Sequence, residues 1–113
     1  MKKLIYISGP LTKGGVLKNV KNAIAIGEEL TKLDYLVFIP HLFYFWNKQH
    51  EHTWRYWMKI DLEWVKRCDG LYRIEGESRG ANIEVCEANH FGIPVFYSIK
   101  ELRNYFRRNK DAY

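Results

Sequence analysis

Asp61 and Glu84 are carboxylates at positions where a carboxylate is chemically informative. Wound as a helix, residues 54 to 67 put Asp61 among Trp57, Ile60, Trp64 and Val65, away from the face that carries Lys59, Glu63 and Lys66. A charge on an apolar stripe destabilises unless it is paired, hydrogen-bonded or protonated. Glu84 comes six residues after Ser78, roughly 9 Å of rise into a helix, and the N-terminal half of a helix favours an ionised carboxylate. One carboxyl able to hold a proton beside one kept ionised is an arrangement that breaks glycosidic bonds. The plainer readings are a structural Asp61 bonded to backbone and a Glu84 that faces solvent.

Further candidates flank this pair. Ser78-Arg79-Gly80 opens a predicted helix with a hydroxyl, a guanidinium and free backbone N–H groups on the positive end of the helix dipole, which suits phosphate and equally suits an ordinary N-cap. The loop Gly9-Pro10-Leu11-Thr12-Lys13-Gly14-Gly15 brings Thr12, Lys13 and glycines that allow close backbone approach. It is not a Walker A loop, because no Lys-Ser/Thr pair follows Gly14, so a nucleoside triphosphatase is not expected. His41 follows the second predicted strand and can donate a hydrogen bond to a base, sugar or phosphate, or serve simply as a loop residue. His50 and His52 lack a third ligand at recognisable spacing, so no metal is expected. Phe43, Tyr44, Phe45, Trp46, Trp54 and Tyr56 can stack on a nucleobase or fill a core or subunit interface.

The elements that must position these residues follow from the hydrophobic pattern. Lys3 to Ser8 is a β-branched and aromatic run stopped by Gly9-Pro10, a buried strand feeding a loop. Val20, Ala23, Ile24, Gly27 and Leu30 predict a helix over 17–33, and Tyr35 to Pro40 the second strand. Residues 41 to 53 show no clear period and read as a long, partly ordered loop. The helix over 54–67 places Trp57, Ile60, Trp64, Val65 and the following Cys68 on one stripe, and Gly70 to Ile74 is the third strand. A helix from about Arg79 to Phe91 closes with Gly92 at C′, Ile93 to Tyr97 is the fourth strand, and Ser98 with Glu101 forms a capping box for a last helix. That helix has Ile99, Leu102, Tyr105 and Phe106 as its apolar side.

Strands alternating with helices predict an α/β fold, a flavodoxin-like or Rossmann-like three-layer sandwich with a mostly parallel sheet of four to five strands. With strand order 2-1-3-4, the ligand crevice opens between strands one and three, where the loops Gly9–Gly15 and Glu75–Gly80 emerge.

Composition agrees with one packed domain over residues 1–113. Hydrophobic residues make up 47% and aromatics 16%, and a chain of this size removes roughly 65% of its unfolded surface from water, enough to fold without staples. A net charge of +5 permits an anionic ligand without demanding a polyanion. The cluster Arg107, Arg108 and Lys110 reads as a solvated helix face, and no nucleic-acid partner is expected. Cys68 and Cys86 lie in apolar stretches without CxxC spacing and read as small buried hydrophobes in a reducing, cytoplasmic setting. Leu4 to Ser8 is too short for a signal peptide and no stretch reaches membrane-spanning length.

Together these residues resemble the nucleoside 2-deoxyribosyltransferase-like superfamily, in particular its deoxynucleoside 5′-monophosphate N-glycosidase branch. The marks are IYISGP at 5–10, PHL at 40–42, DLEW at 61–64 ahead of CDGLYRI, and ESRGANIEV at 77–85. A group of short phage and bacterial domains with the same PHL, DLEW and GESRGA elements is closer still. The resemblance implies that Glu84 is the nucleophile that attacks the anomeric carbon, Asp61 the carboxyl that assists the departing base, and Tyr6 the residue that positions the nucleophile. It implies that Ser78 and Gly80 are at the 5′-phosphate with His41 and the Gly9 loop nearby, and with the residues read above this gives an expected substrate-binding set of Gly9, Pro10, Thr12, Lys13, His41, Ser78, Arg79 and Gly80. A serine at 78 goes with nucleoside monophosphates in the resembled superfamily, where transferases on free nucleosides carry an acidic residue. The resemblance further implies no cofactor, a small-molecule nucleotide substrate, and a homodimer or larger homo-oligomer whose interface includes the aromatic 41–57 segment. The alternative is a non-catalytic binder that sequesters a nucleotide or nucleotide-derived signal in the same crevice.

Overall fold

The computed structural model describes the backbone of residues 1–111 and the side chains through Arg107. The chain runs β1 (Leu4–Ser8), α1 (Val16–Lys32), β2 (Leu36–Phe38), a single 3-10 turn (Pro40–Leu42), α2 (Phe43–Gln49), α3 (Trp54–Arg67), β3 (Gly70–Arg73), α4 (Arg79–His90), β4 (Val95–Phe96) and α5 (Ile99–Asp111). The four strands form one sheet in the order β2-β1-β3-β4, every pair parallel. Tyr6 pairs with Phe38 on one side and Leu71 on the other, so β1 is central.

Strand parity divides the interior. Ile5 and Ile7 of β1 join Ala23 and Leu30 of α1 and Leu102 of α5 in one core. Tyr6 belongs to the other core, with Val65 at the end of α3, Cys68, Leu71 and Ala88 of α4. Ser8, two residues beyond Tyr6, shares its face because side chains alternate along a strand. The ring of Phe38 lies between Tyr6 at 5.6 Å and Trp64 at 4.2 Å, both stacked. Such pairs add about 0.5–1.5 kcal/mol each beyond burial, and these two tie α3 to the centre of the sheet.

The helices start and stop for local reasons. Thr53 caps α3 by accepting from Tyr56 N–H at 3.1 Å, Ser78 caps α4 by accepting from Ala81 N–H at 3.1 Å, and Ser98 caps α5 by accepting from Glu101 N–H at 3.2 Å. Gly92 follows α4 with φ +68°, the left-handed conformation that ends helices. Buried Val20, Ala23, Gly27 and Leu30 give α1 its inner face. A Cβ at Gly27 would meet Ile39 Cδ1 at 2.8 Å, so glycine is what allows α1 to lie this close to the end of β2.

Several sequence expectations are corrected. Residues 41 to 53 are no long loop: they hold the 3-10 turn and α2, a helix of seven residues. Its ordering is tertiary, because Phe43 stacks on Trp57 at 5.0 Å and Trp46 meets the same ring edge-on at 5.6 Å. β2 and β4 are shorter than the apolar runs that announced them, since only part of each run is paired in the sheet. Ile24 and Trp64 are partly exposed, and the buried line of α3 is Met58, Asp61 and Val65, leading to Cys68. Cys86 is exposed, because it lies on the outer side of α4 from Ala81, Glu84 and Ala88. The side chains of Arg108 and Lys110 lie outside the described residues. No helix among the described residues is long and apolar enough to cross a membrane.

Candidate functional site

At the C-terminal end of β1 two hydroxyls on the same face of the strand converge on one carboxylate. Tyr6 Oη donates to Glu84 Oε2 at 2.9 Å and Ser8 Oγ donates to Glu84 Oε1 at 2.7 Å, both bonds buried. Tyr6 and Ser8 are 0% exposed and Glu84 5%, so the Glu84 side chain crosses from α4 into the sheet rather than facing water. Asp61 approaches from α3, 9% exposed, with its Oδ1 atom lacking any hydrogen-bond partner among the described residues.

The two carboxyls titrate abnormally. Burial pushes Asp61 up to about 8, and the neighbouring Glu84, through its charge and a hydrogen bond, pushes the same way. Burial also raises Glu84, to about 7, against the opposing pull of the Ser8 and Tyr6 hydroxyls and of Arg73. The helix position of Glu84 therefore does not by itself keep it ionised, as the sequence suggested; desolvation dominates, and the two hydroxyls restrain it. Two hydroxyls donate to Glu84 and neither reaches Asp61, so the geometry favours the charge on Glu84 and the proton on Asp61. Burial and the adjacent carboxylates hold the Tyr6 phenol well above its usual range, so it remains a donor.

Above this floor is a cleft of about 310 Å³. Gly9, Pro10, Thr12, Lys13, His41, Ser78, Arg79 and Gly80 line it together with Asp61 and Glu84, so the structure brings these candidates together. Tyr6 lies beneath the cleft and reaches it only through Glu84. Two close approaches shape the rim: a Cβ at Gly9 would meet Ile74 Cβ at 2.8 Å, and one at Gly76, whose φ is +130°, would meet Pro10 Cγ at 2.7 Å. Asn19 Nδ2 donates to the carbonyls of Leu11 (2.9 Å) and Lys13 (2.7 Å), which holds the first loop in shape. Lys13 and Glu77 pair across the rim at 2.8 Å; both are well exposed, so the bridge adds little stability.

The start of α4 keeps donors in reserve. The first intrahelical bond runs from Asn82 N–H to the Ser78 carbonyl at 3.0 Å, and the Ser78 hydroxyl takes the Ala81 N–H. The earlier N–H groups of Arg79 and Gly80 precede these bonds. The Arg79 guanidinium stacks over the Trp54 ring at 4.8 Å. Phe43, Tyr44, Trp54 and Trp57 supply an aromatic wall, in which Phe43 stacks on Trp57.

His41, expected either to donate to a ligand or to serve as a loop residue, lines the cleft and is bonded within the protein. It is 3% exposed, its Nε2 lies 3.1 Å from the Pro10 carbonyl, and Nδ1 has no partner among the described residues. A carbonyl only accepts, so Nε2 carries the proton and Nδ1 is the acceptor. Burial lowers the imidazole below its usual range, which keeps the ring neutral. Among the described residues no group of three or more His, Cys, Asp or Glu is placed to hold a metal ion.

Ser8 and Asn47 are site residues that sequence reasoning missed. The period of two along β1 could have found Ser8 once Tyr6 was chosen. Asn47, which lines the cleft from α2, required knowing that α2 exists.

Comparison with known proteins gives a family and a fold. The family described as a domain of unknown function (DUF4406) matches residues 3–97. No curated protein matches the sequence. Among solved structures, a 2-deoxyribosyltransferase from the psychrotolerant bacterium Bacillus psychrosaccharolyticus is similar, with 24% identity and a TM-score of 0.58. The similarity covers 85% of this chain and 75% of that one. At this identity the likeness establishes the shared fold: a parallel sheet flanked by helices.

Proposed function

The chain belongs to the DUF4406 family, and from that premise and the chemistry of its cleft we propose that it cleaves or transfers the N-glycosidic bond of a 2′-deoxynucleoside 5′-monophosphate. The observation that carries the reading is the buried Asp61–Glu84 pair, made unequal by the Tyr6 and Ser8 hydroxyls on Glu84 alone. In the ionised form, Glu84 attacks C1′ of the sugar as the C1′–N bond breaks. Asp61 gives its proton to the departing base and becomes a carboxylate. Water, or a second base, then gives a proton to Asp61 and displaces Glu84 from C1′, so the configuration at C1′ is retained.

The remaining cleft residues support the substrate class. The Arg79 and Gly80 N–H groups, the Ser78 hydroxyl and the cations Lys13 and Arg79 suit a 5′-phosphate, and the aromatic wall suits a planar base. The fold shared with a 2-deoxyribosyltransferase agrees with glycosyl chemistry. Phe45, Trp46, Trp54 and Tyr56, 40–52% exposed, support a homo-oligomer joined through this segment.

The test is incubation with each deoxynucleoside and ribonucleoside monophosphate, with and without a second free base, followed by chromatography of the released base. Release that disappears in Glu84→Gln is the expected result. Tight binding of intact nucleotide without any base release would overturn the enzymatic reading in favour of a sequestering protein.

A further inference from the structure

The base-facing wall contains a carboxamide whose orientation is fixed by its surroundings. Asn47 Oδ1 accepts from Trp57 Nε1 at 2.7 Å and from the backbone N–H of His52 at 2.8 Å. Neither partner can accept a hydrogen bond, so the opposite placement of oxygen and nitrogen would set donor against donor at both contacts. Both lone pairs of the oxygen are thereby used, and Nδ2 is the end of the group that remains. No protein acceptor meets it among the described residues, and Asn47 is half-buried where it lines the cleft beside Trp57 and Phe43. On this lining residue the end left for a ligand is therefore a donor, Nδ2, and not the carbonyl oxygen.

We propose that Asn47 is a specificity-determining residue that selects bases presenting a carbonyl oxygen to α2 and rejects those presenting an exocyclic amine. The inference rests on the nucleotide reading above and narrows its substrate class to keto bases. A carbonyl completes the Nδ2 donors; an amine in the same place leaves donors facing donors in a partly desolvated cleft, the situation in which hydrogen-bond discrimination is largest.

The test uses two pairs of monophosphates that differ in this group: deoxyinosine against deoxyadenosine, and deoxyuridine against deoxycytidine. Asn47→Asp is nearly isosteric, keeps an oxygen for Trp57 and His52, and turns the remaining end into an acceptor. Its added charge weakens all four anionic ligands together, so the keto-to-amino ratio within a pair isolates base reading. The parent should favour the keto member of at least one pair by about tenfold, and N47D should move that ratio at least about tenfold toward the amine. If N47D does not fold, Asn47→Ala removes the donors and should bring the ratio to near unity.

Ratios are measured twice: as kcat/KM, and as calorimetric affinity in a Glu84→Gln background. A moved affinity ratio without base release by the parent would leave the Asn47 assignment standing and remove the glycosidic one. Base release with ratios moved by less than tenfold in both pairs would do the reverse. Failure of all four nucleotides to bind would overturn both.

Discussion

Replacing Asp61 by Asn should make the protein more stable at neutral pH and nearly inactive. The folded state holds the Asp61 carboxyl at about 8, against 3.8 for the free side chain. At pH 7 the unfolded chain has ionised this group and the folded chain has not. The interval of about 3 pH units is worth at most about 4 kcal/mol that the fold forgoes to keep it. The sign follows from proton counting. Between 3.8 and 8 the native state binds the proton that the unfolded state has released, so stability falls as pH rises through this window and levels off above it. The Asp61→Asn variant has no such linkage at this position, and the new amide can still donate toward Glu84. Urea titrations at pH 5, 6, 7 and 8 should show the variant's advantage over the parent growing by about 2–4 kcal/mol across the series. Turnover should fall by about 10²–10⁴, the usual worth of a positioned general acid. A stability gap that is constant from pH 5 to pH 8 would refute the argument, because it would mean that Asp61 is ionised in the folded protein.

The parent's kcat/KM against pH should be a narrow bell, with an acid limb near 7 where Glu84 ionises and a basic limb near 8 where Asp61 loses its proton; a plateau from pH 5 to pH 9 would contradict the assignment of roles. Tyr6→Phe deletes one of the two hydroxyls that lower Glu84, so the acid limb should move to higher pH and kcat fall about tenfold or more, roughly the value of one hydrogen bond to a charge. Gly9→Ala brings a Cβ within 2.8 Å of Ile74 Cβ and should lower stability by about 1–3 kcal/mol in a denaturant titration. Ser78→Ala removes the cap of α4, with an expected loss of about 1 kcal/mol and a rise in KM for monophosphates that free nucleosides do not share.

Much of this architecture was legible because its signals are local. The run IYIS, the helical spacing from Val20 to Leu30 and the Ser98–Glu101 box are each decided within a few residues, and alternation of strands and helices implies a parallel sheet, whereas the order β2-β1-β3-β4 was a premise that the structure meets. The site was legible to the extent that Asp61 stood out as a carboxylate on an apolar stripe. What the sequence concealed is tertiary. Nothing within residues 41 to 53 distinguishes a short helix from a loop, because α2 is held by Trp57 from another element. Ala81, Glu84 and Ala88 lie on one helical stripe, so the spacing within α4 could have placed Glu84 on the inner face; its meeting with the Tyr6 and Ser8 hydroxyls of β1 is tertiary. The two readings of His41, ligand donor or loop residue, stayed open in the sequence because its partner, the Pro10 carbonyl, is 31 positions away.

The inequality of the two carboxyls is a consequence of strand geometry. Both are largely removed from water, so desolvation alone would raise both and leave the pair without a preferred proton position. Tyr6 and Ser8 break the tie because residues two apart on a strand share a face, and that face lies against α4. Both hydroxyls reach Glu84, while Asp61 Oδ1 is left without a partner among the described residues. A central strand is among the least deformable parts of a parallel sheet, being paired on both sides. The residues proposed to read the base sit instead on α2 and at the start of α3, outside the sheet and packed chiefly on one another. On that proposal, substitutions in the wall change which base is accepted and leave the Tyr6 and Ser8 hydroxyls in place on Glu84.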